Sequence, residues 1–523
     1  MANISAVIFG QSSLSGSFAQ LQATITGQAI VLVPPTVQAA ATIDGAAQVE
    51  AALLQPLSAT IIGSATLRAT PVPPPGPPPQ PNPYKYATYT DSLNALGSRL
   101  YDPSFQQWNQ QELLGYLYEA LRTWNALSQF WRGDMVFTPI INTWWYDLRT
   151  LSTSIIPYSV TQYDLITQIE NHLLEPPTPA AWSGSNQFSL SDLLMALQRR
   201  QDDVLGTTGC TLTRSTPQAS TAVRTVLADT TIDIRRVAWL PASGFGYSNT
   251  ILRQSDALAK RAFDPFYTTD PQSPPGTWLQ NTEPPPSFDV DRIPPVPGVY
   301  DVLSVNSGGS WVAGTNAPLA VPADWAWVVK WGAMFDLFSR ESNAKDSLRA
   351  EYCRKRFEEG MALLEMMPTV LACRINNIPI AVDPVRAGDD FNPSWQSASA
   401  GAPLSIYSAA NQLAIAPMPD VTGKYSALVS VVQNAPVGGT YVQVARDDFD
   451  SIIDYAQHLA MLKQGGAEFA ATIPLYQRFQ RKAAQYNSKL KEQGFFSMDQ
   501  LEISQEQEVR SPRYQSRDAL VKQ

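Results

Sequence analysis

The chain has 523 residues and a formal net charge of −9, and 44% of its residues are hydrophobic but only 16% charged; an average globular protein carries roughly 25% charged residues. Proline reaches 42 residues while cysteine falls to three and histidine to two. Cys210, Cys353 and Cys373 make neither a disulfide framework nor a CxxC pair, and His172 and His458 have no HExxH or HxH partner, which argues against a stapled secreted domain and a histidine-based metal site or triad. The acidic balance argues against a chain-wide nucleic-acid footprint.

Met1-Ala2-Asn3-Ile4-Ser5 lacks the positive n-region of a secretory leader. No stretch reaches the roughly 18 consecutive apolar residues of a membrane helix, and the expectation is a chain made in the cytoplasm with free thiols. Residues 1–70 carry three charges, Asp44, Glu50 and Arg68, and contain a repeat. Ala23-Thr24-Ile25-Thr26-Gly27 recurs as Ala41-Thr42-Ile43-Asp44-Gly45 and as Ala59-Thr60-Ile61-Ile62-Gly63, spaced by 18 residues, and Gly10 marks a degenerate earlier copy. Alternating β-branched residues broken by glycine predict short strands joined by turns, an all-β repeat arm. Strands this small leave unpaired edges, so pairing with other copies in an oligomer is expected. Residues 71–84 follow as a linker with nine prolines between Pro71 and Pro83. Polyproline II suits such a run, a stiff spacer of up to roughly 40 Å at about 3.1 Å per residue.

The body is placed at residues 85–496, and its fold class is α+β: a helical-bundle core with β-rich insertions. Leu93, Leu96 and Leu100 predict a helix ended by Asp102-Pro103. Asn109, with Glu112 as a capping-box partner, opens a longer helix whose apolar face is Leu113, Leu114, Leu117, Leu121 and Trp124. Met135 to Leu151 reads as β-prone, Gln162 to Leu174 and Leu190 to Leu205 as helices, and Thr221 to Leu240 as strands. A duplicated strand-helix-helix module lies near 290–365 and 415–492: Asp324-Trp325, Trp331, Phe335, Tyr352 and Arg354 match Asp448-Phe449, Tyr455, Leu459, Tyr476 and Arg478 at an offset of 124. Asp447, Asp448 and Asp450 open the second copy and are read as capping acids in preference to a metal site. A last helix is expected from about Ala467 to Glu492, then a polar tail at 497–523.

No phosphate loop, dinucleotide fingerprint or nucleophile elbow is present. Cys353 sits beside Arg354, Lys355 and Arg356, which would lower a thiol pKa, although a structural cysteine is the commoner case. Glu175 and Glu283 each precede Pro-Pro without showing a glycosidase pair. The expectation is no enzyme, no catalytic residue, no metal and no cofactor.

Ser92-Leu93-Asn94-Ala95-Leu96-Gly97-Ser98-Arg99-Leu100-Tyr101-Asp102, then Trp108, Glu112-Leu113 and Glu119-Ala120-Leu121-Arg122-Thr123-Trp124-Asn125, resembles the opening of tailed-bacteriophage head-to-tail adaptor (connector or neck) proteins. Asp448-Phe449, Ile453-Asp454-Tyr455-Ala456, Leu459-Ala460, a long helix and a tail with Pro512-Arg513 resemble their C-terminal portion. The resemblance makes Leu96, Leu113, Leu117, Leu121, Trp124, Tyr455 and Leu459 the core of the adaptor motif. It implies a structural protein of the virion neck, a homo-oligomeric ring, commonly a dodecamer, that joins the portal protein to a downstream tail or nozzle protein. Leu501, Ile503, Val509, Arg510, Pro512, Arg513 and Tyr514 become portal-binding candidates in the tail, and tail fibres are a candidate partner of the N-terminal arm. Genomic DNA would pass the lumen without specific binding, repelled by the acidic wall during ejection. The alternative is a tail-fibre-like or glycan-binding attachment protein, for which the β repeats and aromatic residues argue. Known adaptors of this type are shorter bundles, without the large β insertions, the duplication or the arm.

Overall fold

A computed structural model describes residues 86–151, 160–173, 188–219, 222–267, 271–281, 283–308, 316–340, 345–367 and 369–487, with the backbone of eight strands between residues 3 and 71. The chain divides into two units, Met1–Lys85 and Tyr86–Gln523.

In the first unit each 18-residue copy supplies two strands: β1 (Asn3–Phe9) and β2 (Ser12–Leu14), β3 (Gln20–Thr26) and β4 (Ala29–Val33), β5 (Gln38–Asp44) and β6 (Ala47–Leu53), β7 (Ser58–Ile62) and β8 (Ala65–Pro71). Odd strands form one parallel sheet, β1-β3-β5-β7, and even strands another, β2-β4-β6-β8. The register advances one copy per strand, so Ile25 pairs with Ile43 and Ile43 with Ile61. The repeats therefore stack on one another within a single chain, as a two-sheeted solenoid. A fixed repeat lets each copy satisfy its neighbour's edge, and β1, β7, β2 and β8 are the outer strands of the two sheets. The proline linker and the tail at 497–523 lie outside the described residues.

The second unit begins with α1 (Tyr89–Arg99) and α2 (Gln110–Ser128), then β9 (Arg132–Phe137), β10 (Trp145–Asp147) and a single turn, α3 (Leu148–Leu151). Next come α4 (Gln162–His172), α5 (Leu190–Thr208), β11 (Thr213–Ser215), β12 (Arg224–Val226), β13 (Thr231–Pro241) and β14 (Thr250–Gln254). They are followed by α6 (Ala257–Phe263), β15 (Thr277–Asn281), β16 (Ser287–Val290), β17 (Gly298–Asn306), α7 (Ala326–Ser339) and α8 (Ser347–Met366). The rest is β18 (Val370–Ile375), β19 (Ile378–Ile380), β20 (Val382–Pro384), α9 (Val385–Phe391), β21 (Ser405–Ala409), β22 (Gln412–Ala416), β23 (Ala427–Val432), α10 (Arg446–Met461), α11 (Gly466–Ala470) and α12 (Ile473–Ala484). The chain is mixed α and β, and no described helix is long and apolar enough to cross a membrane.

Local chemistry explains the helix starts. Thr88, Thr161 and Ser189 each accept from the third helical residue, whose Asp91, Asp164 or Asp192 carboxylate reaches back to the cap nitrogen. Asn109 caps α2, but Glu112 does not close the expected box. Its carboxylate accepts instead from Tyr116 and Lys463. The expected helix from Ala467 is broken: α11 ends at Ala470 and α12 restarts with Pro474 in its first turn, a position where proline's missing N–H costs nothing.

Helices α1, α2, α10 and α12 pack as one bundle, and α4, α5, α7 and α8 as another. In both, the second helix leads straight into a strand that pairs antiparallel with the strand preceding the third helix: β9 with β23, and β11 with β17. The duplication is thus larger than strand-helix-helix. A helix-helix-strand half precedes each copy, and the second bundle is nested wholly inside the first. Ring contacts carry the same offset: Trp331 meets Tyr352 at 5.5 Å between centroids, and Tyr455 meets Tyr476 at 5.3 Å. One apolar core runs through both bundles. The sheets β11-β17-β13-β14-β15-β16-β12, β19-β18-β23-β9 and β10-β22-β21-β20 are the inserted β regions.

Candidate functional site

The segments carrying the resemblance start more than 300 residues apart and meet in the first bundle. Arg99 Nη1 lies 2.6 Å from Asp454 and Nη2 2.9 Å from Asp450, Trp108 Nε1 donates to the Ala460 carbonyl at 3.2 Å, and Lys463 pairs with Glu112 at 3.1 Å. Leu96, Leu113, Leu117, Leu121, Trp124, Tyr455 and Leu459 are at most 1% exposed. They build the scaffold and leave contact with partners to other residues. Leu501, Ile503, Val509, Arg510, Pro512, Arg513 and Tyr514 lie outside the described residues.

The two bundles are joined by buried polar groups. Lys330 on α7 is fully buried, pairs with Glu119 on α2, and stands 3.5 Å from His172 Nε2 on α4. Burial pushes the Lys330 ammonium down while Glu119 holds it up, and burial with the Lys330 charge drives His172 well below its ordinary range. Glu119 Oε1 and His172 Nδ1 have no hydrogen-bond partner. Beside them, Arg356 of α8 donates to the Tyr455 hydroxyl at 2.7 Å and pairs with Glu359 at 2.9 Å. Its guanidinium stacks 4.3 Å from the Tyr476 centroid and 4.7 Å from that of Trp327. Tyr352 meets His458 Nε2 at 2.6 Å, and Thr472 holds Nδ1 at 2.8 Å. Burial pushes His458 down to about 3. Asp324 accepts from Asn125 at 2.6 Å and from the Ala435 N–H at 3.1 Å, and burial lifts it to about 6.

The capping expectation is corrected. Asp447, Asp448 and Asp450 make no side-chain cap at α10, whose cap residue is Ala445. Asp448 reaches Tyr486 at 2.6 Å and Lys482 at 3.4 Å, while Asp450 pairs with Arg99; Asp447 and Asp448 stay in the first turn, where the helix dipole favours acids, without bonding its N–H groups. Asp324 likewise makes no cap hydrogen bond and serves the junction. Among the described residues no group of three or more His, Cys, Asp or Glu could hold a metal. Cys353 is fully buried, and burial raises its thiol pKa, in keeping with the structural cysteine that the sequence favours. Arg354 turns to Glu351 and Glu358 and Arg356 to Tyr455, and burial outweighs the pull of the Lys330, Arg349 and Arg356 charges on the thiol.

Sequence reasoning missed Lys330, although its place inside the apolar run Val328-Val329-Lys330-Trp331 marks a buried charge. A chemically different feature is a cleft of about 790 Å³ beneath β13, β14 and α9, lined by several arginines. Large apolar side chains also face outward, with Tyr101 94%, Phe263 91% and Phe391 89% exposed. No family model and no curated protein matches this chain.

Proposed function

We propose that the protein is a structural component of a tailed-bacteriophage neck, a head-to-tail adaptor that forms an oligomeric ring between portal and tail and surrounds the exiting genome. The observation that carries the reading is the convergence of the two adaptor-like segments in one bundle through Arg99, Asp450, Asp454, Trp108 and Ala460. Exposed Tyr101, Phe263 and Phe391 supply apolar surface for neighbouring subunits, and symmetry repeats such contacts in every copy. The buried polar junction fits a rigid body more than a reaction site, since its titratable groups are spent on one another. In this reading the β-repeat unit is an arm for tail or fibre contacts, and residues 497–523 reach the portal.

Electron microscopy of the purified chain with and without portal tests the proposal. Rings of uniform symmetry that dock below the portal are expected, commonly twelvefold. Deleting Ser497–Gln523 is expected to abolish portal binding and leave the folded body intact; retained binding refutes the tail's role. Unchanged genome ejection after charge reversal of the lumen-facing acids refutes the repulsive-wall idea. Attachment to glycans is a second reading, favoured by the stacked β repeats, and specific glycan capture by the isolated chain is its test.

A further inference from the structure

The arginine cleft has an uneven charge ledger. Arg236, with a side chain 5% exposed, is held by Asp389 at 2.7 Å, and Arg235 pairs with Asp233 at 2.9 Å. That leaves Arg253 and Arg386, both exposed, facing Asp390 alone. Among the described residues neither guanidinium has a hydrogen-bond or ion-pair partner. Two uncommitted guanidiniums in one cleft of a chain with net charge −9 mark a place for carboxylates. Ile251 and Val385 line the same cleft, so its occupant carries apolar side chains as well.

The C-terminal tail is divided by charge. Residues 499–508 hold Asp499, Glu502, Glu506 and Glu508 with no base, and they include Leu501 and Ile503. Residues 509–523 hold Arg510, Arg513, Arg517 and Lys522 against the single acid Asp518. The last described residue connects to the cleft through one intervening cavity. Asn487 donates to the Leu127 carbonyl at 2.8 Å and to Met367 Sδ at 3.4 Å. Met367 lines a small cavity of about 190 Å³, and that cavity shares Thr208 and Gly209 with the arginine cleft. The 11 residues from 488 to 498 span up to roughly 36 Å when extended.

We propose that the acidic stretch Asp499–Glu508 docks in the cleft of its own chain, its carboxylates on Arg253 and Arg386 and its Leu501 and Ile503 against Ile251 and Val385. The basic stretch from Arg510 onward is then presented to a partner from a fixed point on the body. The docking goes beyond the ring proposal and describes the isolated chain, which releases Leu501 and Ile503 from the cleft when the tail engages the portal, so either can fail alone.

The experiment uses the full chain carrying Ile503→p-benzoylphenylalanine, irradiated at high dilution and mapped by mass spectrometry. Cross-links to β14 or α9 residues lining the cleft are expected. Arg253→Glu with Arg386→Glu should lower their yield at least tenfold, as should Asp499→Asn, Glu502→Gln, Glu506→Gln and Glu508→Gln together. The tail variant with lysine at those four positions should recover the cross-link when combined with the two glutamates in the cleft. Circular dichroism checks that the exposed arginine variants remain folded. Cross-links elsewhere, or yields indifferent to both charge sets, overturn the proposal. Cross-links between isotopically distinct chains overturn the intramolecular assignment. Duplex DNA binding that requires Arg253 and Arg386, with no cleft cross-link, assigns the cleft to nucleic acid and overturns it as well.

Discussion

Replacing Lys330 with methionine tests the junction between the bundles directly. Lys330 is 0% and Glu119 3% exposed, and Glu119 Oε1 already lacks a partner. Lys330→Met leaves the carboxylate buried with neither oxygen paired. Removing one partner of a buried ion pair costs about 3–5 kcal/mol, whereas replacing both with apolar groups of similar volume is often neutral or stabilising. Glu119→Leu combined with Lys330→Met is therefore expected to recover at least half of the loss. Glu119→Leu alone should cost less than Lys330→Met, because burial already pushes the ammonium down and a neutral amine is easier to hide. The assay is equilibrium urea unfolding at pH 7.5, followed by circular dichroism and by tryptophan fluorescence, to which Trp331 contributes from the junction itself, 4.8 Å from Lys330 Nζ. A Lys330→Met loss below about 1 kcal/mol, or a double variant no better than the single one, refutes the claim that this pair is a desolvated electrostatic joint.

Stability should depend on pH through groups of opposite sign. His458, at about 3 against an ordinary 6.5, contributes stability that is fully present above pH 6.5 and is lost as pH falls toward 3, and His172 acts in the same direction. Asp324, at about 6 against 3.8, contributes stability that is present below pH 3.8 and lost as pH rises through 6. In unfolding titrations His458→Gln should flatten the acid-side slope and Asp324→Asn should steepen it between pH 4 and 6, each by up to about 1.4 kcal/mol per pH unit. Gly360 lets α7 approach α8, since a Cβ there would sit 2.6 Å from Val328 Cγ2 and 2.9 Å from Trp327. Gly360→Ala should cost about 1–3 kcal/mol, whereas Gly115→Ala, with nothing within 4 Å, should stabilise α2 by about 0.5–1 kcal/mol; equal effects in denaturant melts would count against this packing. Arg356→Lys keeps a charge but loses the stack on Tyr476 and Trp327 and the bond to Tyr455. A loss of about 2 kcal/mol is expected in the same urea assay.

What the sequence makes legible is local. Asn109 and Ser189 announce their helices because capping is decided within four residues. The offset-124 match is visible because Trp331 with Tyr352, and Tyr455 with Tyr476, need large rings at fixed spacing to pack α7 on α8 and α10 on α12. The earlier halves of the duplication escape notice because α1 and α2 share little with α4 and α5 beyond caps and length. The nesting depends on the pairing of Asp134 with Ser430, across 296 residues, which no local pattern encodes. Asp448 and Asp450 mislead because an acid at a helix start suits either the helix end or a distant cation, and only the packing of Arg99 and Lys482 decides. Lys330 and Arg356 resemble solvated residues in composition, yet their burial rests on helices brought together from both ends of the chain.

That nesting has a consequence during synthesis. The second bundle can close as soon as residue 366 has cleared the ribosome, but the first awaits α10, 318 residues beyond the end of α2. At about 5–20 residues per second this is a delay of roughly 16–64 s. Throughout it Leu113, Leu117, Leu121 and Trp124 face solvent without α10 and α12 to cover them. The nascent chain is most open to misassociation in that interval, and a slower ribosome lengthens the exposure of α2 in direct proportion.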